Sequence, residues 1–200
     1  ESTGLFTSYE KAAAHIKAGA KRVVISAPAK DESTAEFPGA TVLMGINEEK
    51  MKDLNVCVTS NASCTTNAAS PVIQILHEAI GIEKAILNTT HAYTASQALV
   101  DAPNKKDWRE GRAAAMNMAP STTGAAIAVT KVVPDLVGKF DGISIRVPVI
   151  AGSIADITFI SKRPTTVAEV NSILEEASKT DRWKSVFAVT HEDLVSRDII

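Results

Sequence analysis

The sequence lacks the features on which membrane-embedded and nucleic-acid-binding proteins depend. No apolar run approaches the roughly 18 residues of a membrane span, and the start of the chain has no basic segment followed by an apolar one. The formal net charge is only -2 over 200 residues, and no run of Lys and Arg is interleaved with aromatic residues. We therefore expect a globular, cytoplasmic protein whose primary partner is neither a membrane nor a nucleic acid.

Cysteine is equally scarce, since the chain has only Cys57 and Cys64. Two cysteines cannot build a disulfide framework, and no histidine or acidic cluster stands beside them at ligand spacing. We therefore expect neither a disulfide-stapled fold nor a tetrahedral zinc site. The chain also begins at Glu1 and enters directly into a turn-like Ser-Thr-Gly segment. We interpret it as a piece of a longer protein.

The first third of the chain has the pattern of an α/β segment. Thr7 and Glu10 form a capping box, which predicts a helix. The uninterrupted apolar run at residues 23–25 is typical of a strand that is buried on both faces. Two further short strands are expected at residues 41–46 and 56–60.

The rest of the chain mixes helices and strands less regularly, as α+β proteins do. The expected elements are a helix from Ser63 to a stop at Gly81, a strand at 85–91, a helix from Gly124 to just before Pro134, antiparallel strands at 143–147 and 154–160, and a helix capped by Thr166 and Glu169. Residues 94–121 are turn-rich and show no periodicity. Such a long loop indicates a functional segment or an interface.

Cys64 stands among small hydroxyl and amide residues where a predicted strand meets a predicted helix. In the first turn of a helix, a sulfur faces unpaired backbone N–H groups and the positive end of the helix dipole, which stabilise a thiolate and can hold an oxyanion. The alternative is a small buried hydrophobic side chain. We assign that alternative to Cys57, which is flanked by Val56 and Val58, and we predict Cys64 as a nucleophile.

A thiol nucleophile needs a base, and His91 is the best placed of the four histidines. It ends a predicted buried strand, where loops gather and α/β proteins build their sites. His15 and His77 lie within amphipathic helices and His191 lies in a charged stretch, so packing or surface roles suit those three. A structural role is the alternative for His91 as well.

Groups suited to anionic oxygens recur along the sequence. They are Thr65, Thr94, the Ser-Thr-Thr-Gly run at 121–124, Arg112 and Arg146. Helix amino termini and arginine side chains bind phosphate. Arg146 alternates with Ile143, Ile145 and Val147, so its side chain is expected to point away from that apolar face. A surface salt bridge is the alternative for each arginine, but the combined set indicates an anion site.

Several blocks, in this order, resemble phosphorylating glyceraldehyde-3-phosphate dehydrogenase. They are Ala-Ser-Cys-Thr-Thr-Asn at 62–67, His-Ala-Tyr-Thr at 91–94 with Gln97, Gly-Arg-Ala-Ala-Ala at 111–115, Ser-Thr-Thr-Gly-Ala-Ala at 121–126 and Arg-Val-Pro at 146–148. The Ser-Ala-Pro segment at 26–28 is similar to that family's stretch near the nicotinamide. The resemblance runs nearly from end to end. It implies a partial Rossmann-type domain at 1–62, followed at 63–200 by a catalytic domain with a mixed sheet that is incomplete at its carboxyl end.

The resemblance also implies the chemistry and the partners. Cys64 would attack the aldehyde of glyceraldehyde 3-phosphate to form a thiohemiacetal, with His91 as general base, and inorganic phosphate would attack the resulting thioester. Thr94 and Arg146 would hold the substrate phosphate, while Ser63, Thr123, Gly124 and Arg146 would hold the attacking one, with assistance from Arg112 and Thr65. Ser26 would contact the cofactor. The implied cofactor is NAD, with NADP as the alternative, and the implied full-length assembly is a homotetramer.

The sequence departs from the family pattern in three places. The glycine-rich dinucleotide fingerprint, with its acidic residue for the adenosine ribose, is absent, and so is the carboxy-terminal segment that supplies an asparagine to the nicotinamide. Residues 149–153 also differ from the family's usual sequence after Arg-Val-Pro. Three rival interpretations follow: erythrose-4-phosphate dehydrogenase, a thiol hydrolase that needs no nicotinamide, and a catalytically inactive assembly module.

Overall fold

The computed structural model describes residues 1–53 and 55–200. Its helices are α1 (Tyr9–Lys17), α2 (Cys64–Ile80), α3 (Ala125–Val132) and α4 (Val167–Ser178). Its strands are β1 (Val23–Ile25), β2 (Gly39–Thr41), β3 (Val58–Ser60), β4 (Ile82–Ala92), β5 (Ala119–Thr122), β6 (Phe140–Val147) and β7 (Ser153–Ser161). Within the described ranges, none of the helices combines the length and the hydropathy of a membrane span.

A small parallel sheet is formed by the first part of the chain. Its order is β1-β3-β2, and both neighbours run parallel to β3. Helix α1 packs on it through Tyr9 and Ala12, which join Val23 and Ile25 in one apolar cluster. The helix begins one residue later than the predicted capping box: Ser8, not Thr7, is the N-cap, and its hydroxyl accepts the N–H of Lys11.

The strand predicted at 41–46 is wrong, because the strand ends at Thr41. The side chain of buried Asn47 explains the difference. Its amide nitrogen donates to the Thr41 carbonyl at 2.9 Å, and its amide oxygen accepts the Leu43 N–H at 2.8 Å. These bonds replace strand pairing and close a turn. The strand predicted at 56–60 is shorter than expected and spans Val58–Ser60.

The larger sheet has the order β5-β6-β4-β7 and is mixed, as expected. Strands β4 and β6 are parallel, and the other two pairings are antiparallel. The expected pairing of residues 143–147 with 154–160 is wrong, since β7 pairs with β4 instead. Strand β6 already has β4 on one side and β5 on the other. Strand β5 overlaps the end of the segment at 94–121 that the sequence predicts to be one long loop.

The main core lies between this sheet and the helices α2 and α3. Ala69, Ile73, Leu87 and Val129 are almost completely buried in it. The opposite face of the sheet is uncovered: Ile143 on β6 is 54% exposed, whereas its neighbour Ser144 is 3% exposed. Arg146 alternates with the isoleucines as predicted, and it therefore lies on the helix side.

The topology brings the amino termini of two helices to one edge of the larger sheet. Helix α2 leads directly into β4, and α3 leads through a short 3₁₀ turn into β6. Each helix therefore runs back along the strand that follows it. Because β4 and β6 are parallel, the amino termini of both helices lie at the edge where the two strands end.

Candidate active site

Cys64 is the first residue of α2, as predicted. Ser63 is the N-cap, and its hydroxyl accepts the Thr66 N–H at 3.0 Å and lies 2.7 Å from the Thr66 hydroxyl. The cap fixes the first turn of the helix, so the sulfur lies at the end where backbone N–H groups are unpaired and the helix dipole is positive. Cys64 is exposed, whereas Cys57 is half-buried one residue ahead of β3.

His91 brings an imidazole to the sulfur from the end of β4. Its Nε2 lies 3.4 Å from the Cys64 Sγ, and its Nδ1 lies 2.7 Å from the Ala92 carbonyl oxygen. A carbonyl oxygen can only accept, so the Nδ1 atom carries the proton that the bond requires. In the neutral ring, Nε2 is then the acceptor that faces the thiol, and the pair is arranged for proton transfer.

The other three histidines each face a carboxylate. These contacts are His15 to Glu1 at 3.2 Å, His77 to Asp135 at 3.4 Å and His191 to Glu175 at 3.1 Å. In the part of the chain that the structure describes, no group of three or more His, Cys, Asp or Glu side chains is arranged to hold a metal ion.

Arg146 is the direct neighbour of His91 on the adjacent parallel strand. Residues in register on neighbouring strands project from the same face, so the guanidinium and the imidazole share the helix side of the sheet. The Arg146 Nε is buried and has no hydrogen-bond partner among the described residues. A buried guanidinium nitrogen without a partner is suited to an anionic ligand.

Thr94 follows β4 and is held by a tight turn. The Gln97 N–H donates to the Thr94 carbonyl at 2.9 Å, and the Thr94 N–H donates to the Gln97 side-chain oxygen at 3.3 Å. The Thr94 hydroxyl lies 3.1 Å from that of Ser96, which donates to Glu110. We did not predict Ser96 or Glu110 from the sequence. The short spacing from Thr94 is the one sequence signal that could have indicated Ser96.

Thr123 and Gly124 lie where α3 begins. Gly124 is the N-cap, and the Thr123 hydroxyl accepts the Ala125 N–H at 3.1 Å. Helix α3 packs against α2 in the main core. Of the predicted phosphate residues, Ser63 precedes Cys64 and Arg146 neighbours His91, while Thr123 and Gly124 begin the helix that packs beside α2.

Thr65 is buried, and its hydroxyl oxygen lies 4.0 Å from the Cys64 Sγ. Arg112 directly follows the 3₁₀ turn at Trp108–Gly111. Its Nε forms an exposed ion pair with Asp101 at 3.2 Å. The Ala113 N–H, and then the Arg112 side chain, hold the pKa of Asp101 below its usual range. Arg112 is thus occupied by a carboxylate, while Arg146 is not.

Ser26 is exposed directly after β1, and its hydroxyl donates to the Glu1 carbonyl at 3.1 Å. It lies at the carboxyl edge of the small parallel sheet, where α/β proteins bind dinucleotides. The same edge carries Ser60 at the end of β3. Ser26, which is predicted to contact a cofactor, therefore lies at the edge of a parallel sheet.

Comparison with known proteins identifies the family. The family model described as "Glyceraldehyde 3-phosphate dehydrogenase, C-terminal domain" matches residues 63–200. Curated relatives include glyceraldehyde-3-phosphate dehydrogenase B of Aspergillus oryzae, 46% identical over 199 residues, glyceraldehyde-3-phosphate dehydrogenase 1 of Trichoderma koningii, 47% identical over 200, and glyceraldehyde-3-phosphate dehydrogenase 2 of Danio rerio, 44% identical over 200.

These alignments cover 100% of this chain but 57%, 56% and 57% of the three relatives. The chain spans about half the length of the curated relatives that it matches. The family match covers more than half of the chain and includes Cys64, His91 and Arg146. The chain therefore belongs to the glyceraldehyde-3-phosphate dehydrogenase family.

Proposed function

We propose that this chain is the catalytic part of a glycolytic, phosphorylating glyceraldehyde-3-phosphate dehydrogenase. The observation that carries the proposal is the 3.4 Å contact between the Cys64 Sγ and the His91 Nε2 at the start of α2. Its substrates would be glyceraldehyde 3-phosphate and inorganic phosphate, and its product 1,3-bisphosphoglycerate. Several relatives are named cytosolic, which supports a cytoplasmic location.

The first chemical step uses the Cys64–His91 pair. The thiol proton passes to the His91 Nε2, and the thiolate attacks the aldehyde carbon. The imidazolium returns the proton to the developing alkoxide, which gives a thiohemiacetal, and the free N–H groups of the first turn of α2 stabilise the negative oxygen. Nε2 takes the proton again as the carbon is oxidised to a thioester. A bound nicotinamide supplies the hydride acceptor for that oxidation.

The second step transfers the acyl group to phosphate. Inorganic phosphate, held by Ser63, Thr123, Gly124 and Arg146, attacks the thioester carbon. The carbon–sulfur bond breaks, and Cys64 leaves as the thiolate. Thr94 and Arg146 hold the phosphate of the substrate throughout, with Thr65 and Arg112 in supporting roles. The unpartnered Nε of Arg146 supports an anion at this position.

NAD is the cofactor that we propose, with NADP as the alternative. Its nicotinamide end would lie at the edge of the small sheet that carries Ser26. The all-parallel order β1-β3-β2 supports residues 1–62 as the end of a Rossmann-type domain and residues 63–200 as the catalytic domain. Comparing kcat/KM for NAD and NADP in the full protein distinguishes the two cofactors.

A homotetramer is the assembly that we propose for the full protein. The uncovered face of the larger sheet carries four isoleucines that are more than half exposed: Ile86, Ile143, Ile154 and Ile160. An apolar patch of this kind is typical of a subunit contact.

Alkylation with limiting iodoacetate tests the nucleophile. We expect the label on Cys64 and not on Cys57, and preferential labelling of Cys57 would contradict the proposal. In the full protein, Cys64→Ser should abolish aldehyde oxidation while Cys57→Ser retains it.

Dependence of product formation on inorganic phosphate separates this enzyme from erythrose-4-phosphate dehydrogenase. Hydrolysis of esters without nicotinamide would instead indicate a thiol hydrolase.

A further inference from the structure

The loop before the nucleophile is held in an unusual conformation. Ala62 has a φ of 54°, and it is the one non-glycine residue with a positive φ among the described residues. The left-handed region is unfavourable for a residue with a Cβ, so such a conformation persists only where neighbouring contacts impose it. Ala62 is buried and lies two residues before Cys64. Its backbone therefore directs the chain into α2.

Ser60 holds this loop from one side. Its hydroxyl is fully buried and makes three hydrogen bonds: it donates to the Ala27 carbonyl at 2.7 Å and accepts the N–H groups of Ala29 at 3.2 Å and Ala62 at 3.1 Å. One hydroxyl thus ties the loop after β1, which carries Ser26, to the loop that carries the nucleophile. No other group is needed to satisfy that hydroxyl.

Asn67 holds the same loop from the other side. Its side-chain amide donates to the Asn61 carbonyl at 2.8 Å and to the Ser63 carbonyl at 2.9 Å. These two carbonyls flank Ala62, so one amide group spans the left-handed residue. Because Asn67 lies in the first turns of α2, it also ties the loop to the helix that begins with Cys64.

We propose that Ser60 and Asn67 are positioning residues that hold Ala62 in its left-handed conformation and thereby set the Cys64 sulfur against His91 and the Ser26 loop. The inference rests on the proposed role of Cys64 as nucleophile. Neither side chain is among the residues proposed to hold the aldehyde or the phosphates. Both side chains act through their hydrogen bonds to the loop backbone. Without those bonds, the Cys64 sulfur would sample several positions.

The test uses Ser60→Ala and Asn67→Ala in the full protein. Ser70→Ala is the matched control for the first, since Ser70 is equally buried on α2 and its hydroxyl has no hydrogen-bond partner among the described residues. Asn171→Ala on the exposed side of α4 is the control for the second. The rate of Cys64 alkylation by iodoacetamide is measured against pH, together with kcat and KM.

We expect both variants to lower kcat by about 10- to 100-fold, the size of effect that misplacement by about 1 Å produces. The KM for glyceraldehyde 3-phosphate should change little, because Thr94 and Arg146 are untouched. The midpoint of the alkylation profile should move to higher pH, and the controls should match the wild type. A purely structural role would lower the melting temperature but leave that midpoint in place.

The exposed position of Asn67 keeps the test decisive even if Ser60→Ala fails to fold. Folded Asn67→Ala with the wild-type alkylation profile and kcat would overturn the proposal. Alkylation needs neither aldehyde nor cofactor, so its rate can be measured whether or not the protein oxidises an aldehyde. A shifted profile in a protein that oxidises no aldehyde would support the positioning role and contradict the proposed reaction.

Discussion

His91 and Arg146 are register partners on the parallel strands β4 and β6. The proposed base and the proposed phosphate ligand therefore project from the same face at neighbouring positions. A register slip of one residue would move one of them to the uncovered face of the sheet. The pairing of β4 with β6 thus fixes the distance between the backbones of His91 and Arg146.

Replacing His91 should remove the base without unfolding the domain. His91→Asn is expected to lower kcat by about 100-fold or more, the usual contribution of a positioned general base, and to slow alkylation of Cys64. His191→Asn is the control, since His191 lies on the surface beside Glu175. Steady-state kinetics of the full protein measure the effect. If the kcat of His91→Asn were within about threefold of the wild-type value, the assignment of His91 as general base would be contradicted.

Arg146 should matter for the binding of phosphate groups and not for the binding of the aldehyde itself. Arg146→Gln is expected to raise the KM for glyceraldehyde 3-phosphate by about tenfold or more, because charge-assisted hydrogen bonds contribute about 1.5–3 kcal/mol. The KM for unphosphorylated glyceraldehyde, measured at saturating inorganic phosphate, should stay unchanged. Arg112→Gln should have an effect below about fivefold, since its exposed guanidinium already pairs with Asp101. Equal effects on both aldehydes would contradict the role in phosphate binding.

The local positions of Cys64, at the start of a helix, and of His91, near the end of a strand, could be predicted from the sequence, because both depend on local pattern. Small polar residues at a strand-to-helix junction indicated Cys64, and the end of an alternating strand indicated His91. Tertiary contacts could not be predicted in this way. Ser60 bonds to Ala27, 33 residues away, and β7 pairs with β4 because β5 already pairs with the other side of β6. Alternation shows that Ile143 and Ser144 face opposite sides, but it does not show which side is covered.

The strain at Ala62 can be measured by comparing its replacement by glycine with that of Ala69, a second buried alanine. Ala62→Gly relieves a positive φ that costs about 1–2 kcal/mol, and this gain offsets a lost methyl of about 0.8 kcal/mol and added backbone entropy. The free energy of unfolding should therefore change by less than about 1 kcal/mol. Ala69→Gly, in the interior of α2, should cost about 2 kcal/mol. Urea denaturation measures both, and an equal loss would show that Ala62 is unstrained.

Glu169 should make stability depend on pH at the start of α4. Its Oε1 lies 2.7 Å from the Arg163 guanidinium, which, followed by the Thr165 hydroxyl, lowers the pKa of Glu169 below its ordinary value of 4.5. A lowered pKa in the folded state stabilises the fold above that ordinary value, and the contribution is lost as the pH falls through the lowered one. The difference in melting temperature between the wild type and Glu169→Gln should therefore shrink as the pH falls below 4.5.

Arg163→Gln removes the other half of this ion pair. It should produce the same narrowing of the difference in melting temperature, measured over the same range of pH. A Glu169→Gln variant whose melting temperature runs parallel to that of the wild type at every pH would contradict the assignment.

The uncovered face of the larger sheet should control assembly. Ile143→Lys is expected to weaken the oligomer of the full protein, because it would place a charge in an apolar contact. Val137→Lys is the control, since Val137 is also exposed but lies on the turn after α3. Analytical ultracentrifugation measures the masses of both variants. An Ile143→Lys variant that assembles like the control would exclude this face from the interface.

The isoleucines of that face contribute little to the stability of the isolated chain while they remain in water. In the proposed assembly, selection on them therefore acts through the subunit surface that covers them and not through the core beneath. Homologues should vary at Ile86, Ile143, Ile154 and Ile160 in step with the opposing surface, while Leu87 and Ser144, one position away on the buried side, change only with the helices that pack on them.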